Sequence, residues 1–208
     1  MSDGINKVSQ SRDEQLSVEE IVRVAKRLTK RDGVENLTMR SLAEELGVSP
    51  MATYHYVPNK EELLLLVGGS VMNEVISTPV DTTTSWDEKL WQINVVLINK
   101  IGEYPGLNEF LMRHQLTDAG RRYMELSISF IRESGAPENK LSDIYSAIHT
   151  YSFGHSNLRS IYDSRPKTKP AGKHDPTLPS LRQLASLEHS EAGYRALIIG
   201  LKQQHNLK

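Results

Sequence analysis

An all-α fold is what this 208-residue sequence predicts, and three observations carry the prediction. Apolar residues recur at three- and four-residue spacing along segment after segment, the period of a helix that buries one face. Ser, Thr or Asn stands ahead of several of these segments and Gly or Pro behind them, the punctuation of helix starts and stops. No stretch alternates apolar and polar residues convincingly enough to read as a strand, and no internal repeat is visible.

The first pattern, "LSVEEIVRVAKRLTKRDGV", opens with Ser17 as N-cap and Glu20 at capping-box spacing, and Gly33 is its expected stop. Ile21, Val24, Ala25 and Leu28 mark the face it buries. Thr38 caps a shorter helix carrying Leu42, Ala43 and Leu46, which Gly47 ends. Ser49 and Pro50 read as N-cap and first residue of a third helix, because proline there loses no intrahelical bond. Pro58 disfavours helical geometry at Val57, so that helix is short. Asn59 and Glu62 open a fourth helix that runs through "LLLLV" towards Ile76.

Beyond "STPVDTTTS" the spacing predicts helices over 86–101, 107–114, 117–134 and 140–162, and a last one from about 181 to 203 with a break near His189. "SRPKTKPAGKHDPTLP" carries four prolines and reads as a mobile loop over 164–179. The polar residues 1–15 are expected to form a disordered tail.

Composition narrows the functional classes. With 38% hydrophobic and 25% charged residues and a formal net charge of −1, the chain is ordinary globular protein. Any affinity for nucleic acid must therefore rest on where its charges sit. The absence of cysteine excludes disulfides, thiolate metal sites and a cysteine nucleophile. No apolar run approaches the roughly 20 residues that span a bilayer, and nothing resembles a signal peptide, so a soluble cytoplasmic protein with no membrane partner is expected. There is no phosphate loop, metal-spaced His/Glu cluster or nucleophile motif, and His149 with His155 alone does not make a catalytic site. Neither an enzyme nor a cofactor or metal is expected.

Three short helices with a tight "ELGVS" between the second and third form a helix-turn-helix signature. Gly47 permits a left-handed turn, and Val48 is the expected apolar plug beneath it. The third helix is too short to contribute much core, so Tyr54, His55 and Tyr56 read as hydrogen-bonding aromatics facing a DNA major groove, with hydroxyls able to reach phosphates.

"LTMRSLAEELGVSPMATYHYVPNKEELL" resembles the DNA-binding region of the tetracycline-repressor (TetR) family of regulators. The later segments "YSFGHSNL" and "YRALIIGL", with the "SW" that opens the helix at 86, are similar to the ligand-binding and dimerising half of its tetracycline-repressor subgroup. The resemblance implies that Arg40 reads a guanine edge, that Pro50 and Met51 touch base edges, and that Tyr54 contacts backbone and base. Thr38, Ser49, Thr53, His55 and Tyr56 complete the expected DNA-contacting set, together with Lys60. A cation at a helix N-terminus opposes the helix dipole, which makes a phosphate opposite Lys60 the natural explanation. For Thr38 and Ser49 a purely capping role stands beside DNA contact, and for His55 a solvated surface role. The basic run Arg23, Lys26, Arg27, Lys30 and Arg31 reads as mostly solvated face, with one or two of its charges on phosphates.

The resemblance further implies a ligand cavity among the later helices, with candidate lining from Trp91, Asn94, Leu97 and Ile98, then His114 and Gln115, then Tyr151 and His155. Asn94 and His155 interrupt apolar faces, and each reads equally as a satisfied buried polar residue. Trp91 reads more readily as core. Tetracycline-binding members hold a drug–magnesium chelate through histidines, but the aligned positions here are Ile76 and Leu111, so a small apolar or aromatic ligand is expected instead. Ala147 and Gly154, and likewise Gly193 and Gly200, are spaced to let two helices of one subunit pack closely against a second copy, with packing inside one subunit as the alternative. The expected organisation is a helix-turn-helix domain over 16–62 and a ligand-binding and dimerisation domain over 63–208. The expected function is that of a homodimeric, ligand-responsive repressor on double-stranded operator DNA. A ligand-independent activator or architectural protein is the alternative, and a helical enzyme a remoter one.

Overall fold

The computed structural model describes residues 16–114, 116–164 and 179–208. Among these residues the chain forms ten α-helices, one 3-10 turn at Glu138–Lys140 and no strand. The helices are α1 (Val18–Asn36), α2 (Met39–Leu46), α3 (Pro50–Tyr56), α4 (Lys60–Ile76), α5 (Trp86–Gly102), α6 (Leu107–Arg113), α7 (Asp118–Glu133), α8 (Leu141–Ser164), α9 (Leu181–Leu184) and α10 (Leu187–His205). The predicted tail over 1–15 and most of the predicted loop, 165–178, lie outside the described residues. The helices divide between two compact units, one reaching to Asn73 and including Glu103–Gly120, the other comprising Glu74–Gly102 and Arg121–Lys208.

In the first unit, local chemistry sets the helix ends. Ser17 Oγ accepts from the Glu20 amide at 3.2 Å, while the Glu20 carboxylate accepts from Arg23 at 3.1 Å instead of returning to the cap. Gly33 breaks α1 (φ 81°, ψ 165°) without ending it. The chain resumes for one more turn because the Val34 amide donates to the Pro105 carbonyl at 2.9 Å, an anchor far away in sequence. Thr38 and Ser41 form a reciprocal capping box at the start of α2. Gly47 ends that helix in the left-handed region (φ 70°), its amide bonded to the carbonyls of Ala43 and Glu44. Val48 is only half-buried, so it is not the plug expected beneath the turn; Val57, just after α3, is fully buried.

The expected boundary at 62/63 falls inside the buried face of α4, where Leu63, Leu64, Val67 and Val71 are all inaccessible to solvent. The unit extends past it because α6 packs on α4. A Cβ at Gly68 would lie 3.1 Å from Leu111 Cδ1, so glycine is what lets that leucine in. Lys30 on α1 also pairs with Glu103 at 2.7 Å.

In the second unit α5 is gripped by α10. The rings of Trp91 and Tyr194 lie 5.0 Å apart, the Tyr194 hydroxyl donates to the Asp87 carbonyl at 2.9 Å, and Arg195 pairs with Glu88 at 2.6 Å. Lys89, nearly buried, meets Glu133 of α7 at 2.6 Å. The predicted break in the last helical pattern falls slightly earlier than His189. Ala185 and Ser186 separate α9 from α10, and Ser186 caps α10 by accepting from the His189 amide.

The turn chemistry yields a direct test. Gly47→Ala places a Cβ in the left-handed region and should cost about 1–2 kcal/mol of stability, whereas Gly47→Asn should cost less. Urea denaturation midpoints of the two variants would show the order, and an unchanged midpoint for alanine would mean the turn relaxes out of this geometry.

Candidate nucleic-acid interface and ligand site

A seven-residue helix turns few residues inward, and α3 buries only Ala52 and Thr53. Pro50, Met51, Tyr54, His55 and Tyr56 face outward, with Met51 68% and Tyr54 47% exposed. The tyrosine hydroxyls and the His55 ring have no hydrogen bond within the described residues. Thr53 does not join this face: its side chain is fully buried and Oγ1 donates to the Pro50 carbonyl at 2.8 Å, so it cannot reach DNA. Ser49 is half-buried and its Oγ caps α3 by accepting from the Ala52 amide. Thr38 is exposed, yet its hydroxyl is engaged with Ser41.

Arg40 projects from the start of α2 with its side chain 85% exposed, and Nε donates to Glu44 at 3.0 Å. An exposed pair four residues apart on a helix is held by only a few tenths of a kcal/mol, roughly, so the guanidinium is free to exchange partners. Lys60 is different. Its ammonium donates to the Glu35 carbonyl in the last turn of α1 at 2.9 Å. A cation at a helix C-terminus neutralises the carbonyl end of the dipole, which accounts for Lys60 without any phosphate. The basic run on α1 is likewise paired: Arg23 with Glu20, Arg27 with Glu45 at 2.8 Å, Lys30 with Glu103, and Arg31 with Asp32 at 2.7 Å. Lys26 donates to Ser70 at 3.3 Å.

The expected ligand-lining residues do not assemble within one unit. His114 belongs to the first, where its ring stacks on Phe110 at 4.0 Å. Its Nδ1 donates to the Phe110 carbonyl at 2.6 Å, and Nε2 lies 3.6 Å from Glu61. Gln115 lies outside the described residues. In the second unit Asn94 is buried and satisfied at both ends of its amide: Nδ2 donates to the Leu90 carbonyl at 2.9 Å and Oδ1 accepts from the Tyr123 hydroxyl at 3.0 Å. That is a packing role, and Tyr123, a residue that sequence reasoning did not single out, completes it. Burial pushes the Tyr123 phenol well above its usual range, so it remains a donor. Trp91 is core against Tyr194, as its residue type suggested. Ile98 is buried and Leu97 half-buried.

Tyr151 and His155 keep more interest. The Tyr151 hydroxyl donates to the Ser190 carbonyl at 2.8 Å. His155 is only 5% exposed, and its Nε2, like Ser190 Oγ, has no hydrogen-bond partner among the described residues. Burial, aided by nearby Arg159, lowers the pKa of His155, with the Leu184 backbone opposing. No group of three or more potential metal-ligating side chains occurs among the described residues.

Of the four small residues expected at a dimer interface, Gly154 and Gly200 are exposed, with open space where a Cβ would stand, and Ala147 is half-buried. Gly193 is small for another reason: a Cβ there would lie 2.9 Å from Tyr151 Cζ, so it serves packing within the unit.

Residues 21–67, which span α1 to the middle of α4, match the model of the bacterial regulatory proteins of the tetR family. Over its helix-turn-helix this chain is similar to the TetR family. A known relative, the HTH-type transcriptional repressor DrrR1 of Streptomyces coeruleorubidus, is 42% identical over 52 residues, which are 25% of this chain and 19% of that protein. The chain thus spans only a small part of the length of that relative. Among solved structures, the Streptomyces coelicolor TetR family protein ActR in complex with actinorhodin has a TM-score of 0.69 at 24% identity, covering 91% of this chain and 97% of its own. BioQ with its double-stranded DNA operator has a TM-score of 0.66 at 21% identity, covering 89% of this chain and 98% of its own. At these identities the likeness is one of fold, and it covers residues of both units. The matched family is one of regulators, not enzymes. No helix among the described residues is long and apolar enough to cross a membrane.

The two histidines of α8, His149 and His155, predict a pH dependence of stability. Burial lowers both below their ordinary 6.5, so the unfolded chain binds more protons than the folded one as the pH drops through that value. The stability they contribute is present above about pH 6.5 and is lost as the pH falls towards their folded values. Urea midpoints between pH 7.5 and 5.5 should decline in the wild type and decline less in a His149→Gln, His155→Gln double variant. Equal slopes would show that neither ring is held neutral.

Proposed function

We propose that this protein is a ligand-responsive transcriptional repressor that binds a palindromic operator as a homodimer and is released by a small apolar or aromatic inducer. The observation that carries the reading is the outward face of α3. Met51, Tyr54, His55 and Tyr56 stand in solvent, their side chains without hydrogen bonds among the described residues, on a helix-turn-helix similar to the TetR family's. A cytoplasmic location belongs to the same reading. The names of relatives support its parts: DrrR1 is called a repressor, BioQ was solved on operator DNA, and ActR was solved with a small molecule.

Arg40 is the residue best placed to read a base pair, because it can leave Glu44 cheaply and bond bidentately to guanine. Tyr54 and Tyr56 reach phosphates. Lys60 joins the surface only by surrendering its bond to the Glu35 carbonyl, so it ranks below them. Dimerisation uses the exposed small residues Gly154 of α8 and Gly200 of α10, the latter beside Ile199, which is 58% exposed. Two heads are needed because one helix-turn-helix reads only half a site, and a palindrome offers two half-sites one helical turn apart. In the second unit Tyr151 and His155 remain as polar contacts for the inducer, with Leu97 and Ile98 as apolar ones. An inducer releases DNA only through its differential affinity for the two states, and operator must weaken inducer binding by the same factor.

Selection of random duplexes on the purified protein should enrich one palindrome, bound with strong salt dependence. Arg40→Ala should cost about 1–3 kcal/mol and relax preference at one base pair in each half-site. An Arg40→Ala protein with unchanged preference would remove Arg40 from the reading set, and no enrichment by the wild type would overturn the function itself.

Gly154→Leu and Gly200→Leu should each yield monomer in sedimentation, with operator affinity collapsing alongside. A variant that stays dimeric with full affinity would place the interface elsewhere.

A further inference from the structure

In the major groove, base pairs differ in the donors and acceptors on their edges and in one apolar group, the thymine 5-methyl. The side chains that read polar edges through paired bonds are Arg and Lys for guanine, Asn and Gln for adenine, and carboxylates for cytosine. The helix α3, with sequence PMATYHY, contains none of them. Ala52 and Thr53 are buried, and the Thr53 hydroxyl is committed to the Pro50 carbonyl. Tyr54 and Tyr56 are suited to phosphates, which carry no sequence information.

Pro50, Met51 and His55 remain exposed, and of these Met51 alone is a long, flexible apolar side chain. At 68% it is the most exposed of the large apolar side chains among the described residues. It shares the outward face of α3 with Tyr54 and His55, three and four residues on. A methionine thioether is unbranched and polarizable, and it adapts to an irregular apolar neighbour better than a branched chain does.

We propose that Met51 reads thymine, packing its thioether end on the 5-methyl of one thymine in each half-site. Discrimination by α3 then resides in an apolar contact, while hydrogen-bonded readout falls to Arg40 on α2. The inference rests on the DNA-binding reading above and adds to it which base α3 selects and by which group.

Uracil keeps the pairing edge and the O4 acceptor of thymine and lacks only the methyl, so it isolates the contact. The test uses the full-length protein and the duplex it enriches from a random pool. Each thymine is replaced singly by deoxyuridine, and binding is measured by fluorescence polarisation at constant salt. Wild-type protein should lose about fourfold in affinity at one thymine per half-site, the effect of burying one methyl group. Met51→Ala should bind the parent duplex more weakly and show no further loss at that position. Met51→Leu, which retains apolar reach, should keep part of the sensitivity. Because the residue is exposed, all three proteins should have the same unfolding midpoint.

The proposal is overturned if every deoxyuridine duplex binds the wild type like its parent, or if the loss is equally large in Met51→Ala. The second outcome would assign the methyl contact to another residue, His55 and Tyr54 being next on that face. Failure of the DNA-binding reading looks different: no duplex is enriched or bound at all, which removes this proposal together with its basis.

Discussion

A helix of seven residues does not hold together alone in water, because nucleating it costs more than so few hydrogen bonds return. Every part of the first unit can be read as a response to that constraint on α3. Ser49 and Pro50 start it, Pro58 and the extended Val57 stop it, and the left-handed Gly47 delivers the chain to it from α2. Its inward side is anchored by Ala52, Thr53 and the fully buried Val57. With so much of its stability supplied from outside, the outward side is free to carry residues that the core does not need, as the proposed reading requires. Met51 and the three aromatics pay nothing towards folding there, which is why their exposure is informative.

Electrostatics tells a different story from the one usual for a nucleic-acid surface. The net charge is −1, and most of the α1 cations whose contacts are described are tied to carboxylates. Exposed pairs of this sort are weak and screened by salt, so they are available for exchange rather than locked. A polyanion approaching the face competes for Arg23, Arg27 and Arg31 against their own carboxylates, which tempers non-specific attraction. In the proposed DNA-binding reading, that leaves a larger share of discrimination to shape and to the few side chains assigned to bases.

The second unit separates two kinds of buried polar group. Asn94, Tyr123, Tyr194 and the Lys89–Glu133 pair each find partners inside the protein, and their role is to fix how α5, α7 and α10 pack. His155 Nε2 and Ser190 Oγ find none among the described residues. An unmet buried polar group costs about 1–3 kcal/mol. Such atoms are where a bound molecule could gain most from a well-placed polar group, and the cost of protonating His155 makes that gain sensitive to pH.

The helices themselves were legible in the sequence because their ends are written in local chemistry. Ser17, Thr38, Ser49, Asn59 and Ser186 bond to amides three residues away, and Gly47 and Pro58 act on their own backbone, so spacing alone located the elements. The helix-turn-helix followed from the same local order. The exposed aromatics of α3 were legible too, since a short helix cannot bury them. What only the tertiary structure decided are the pairings between residues distant in sequence. Lys60 looked like a phosphate ligand until its partner, the Glu35 carbonyl, was in view 25 residues earlier. Asn94 read equally as a ligand contact and as a satisfied buried residue until Tyr123 closed its amide, and Gly193 read as an interface residue or as packing within one subunit until the Tyr151 ring filled the space above it. The turn at Gly33 continued because of Pro105, and residues 103–120 joined the first unit because Leu111 meets Gly68. A periodic pattern states which face of a helix is apolar, but it holds no record of which other face will meet it. The same buried polar side chain is satisfied or orphaned according to that partner alone.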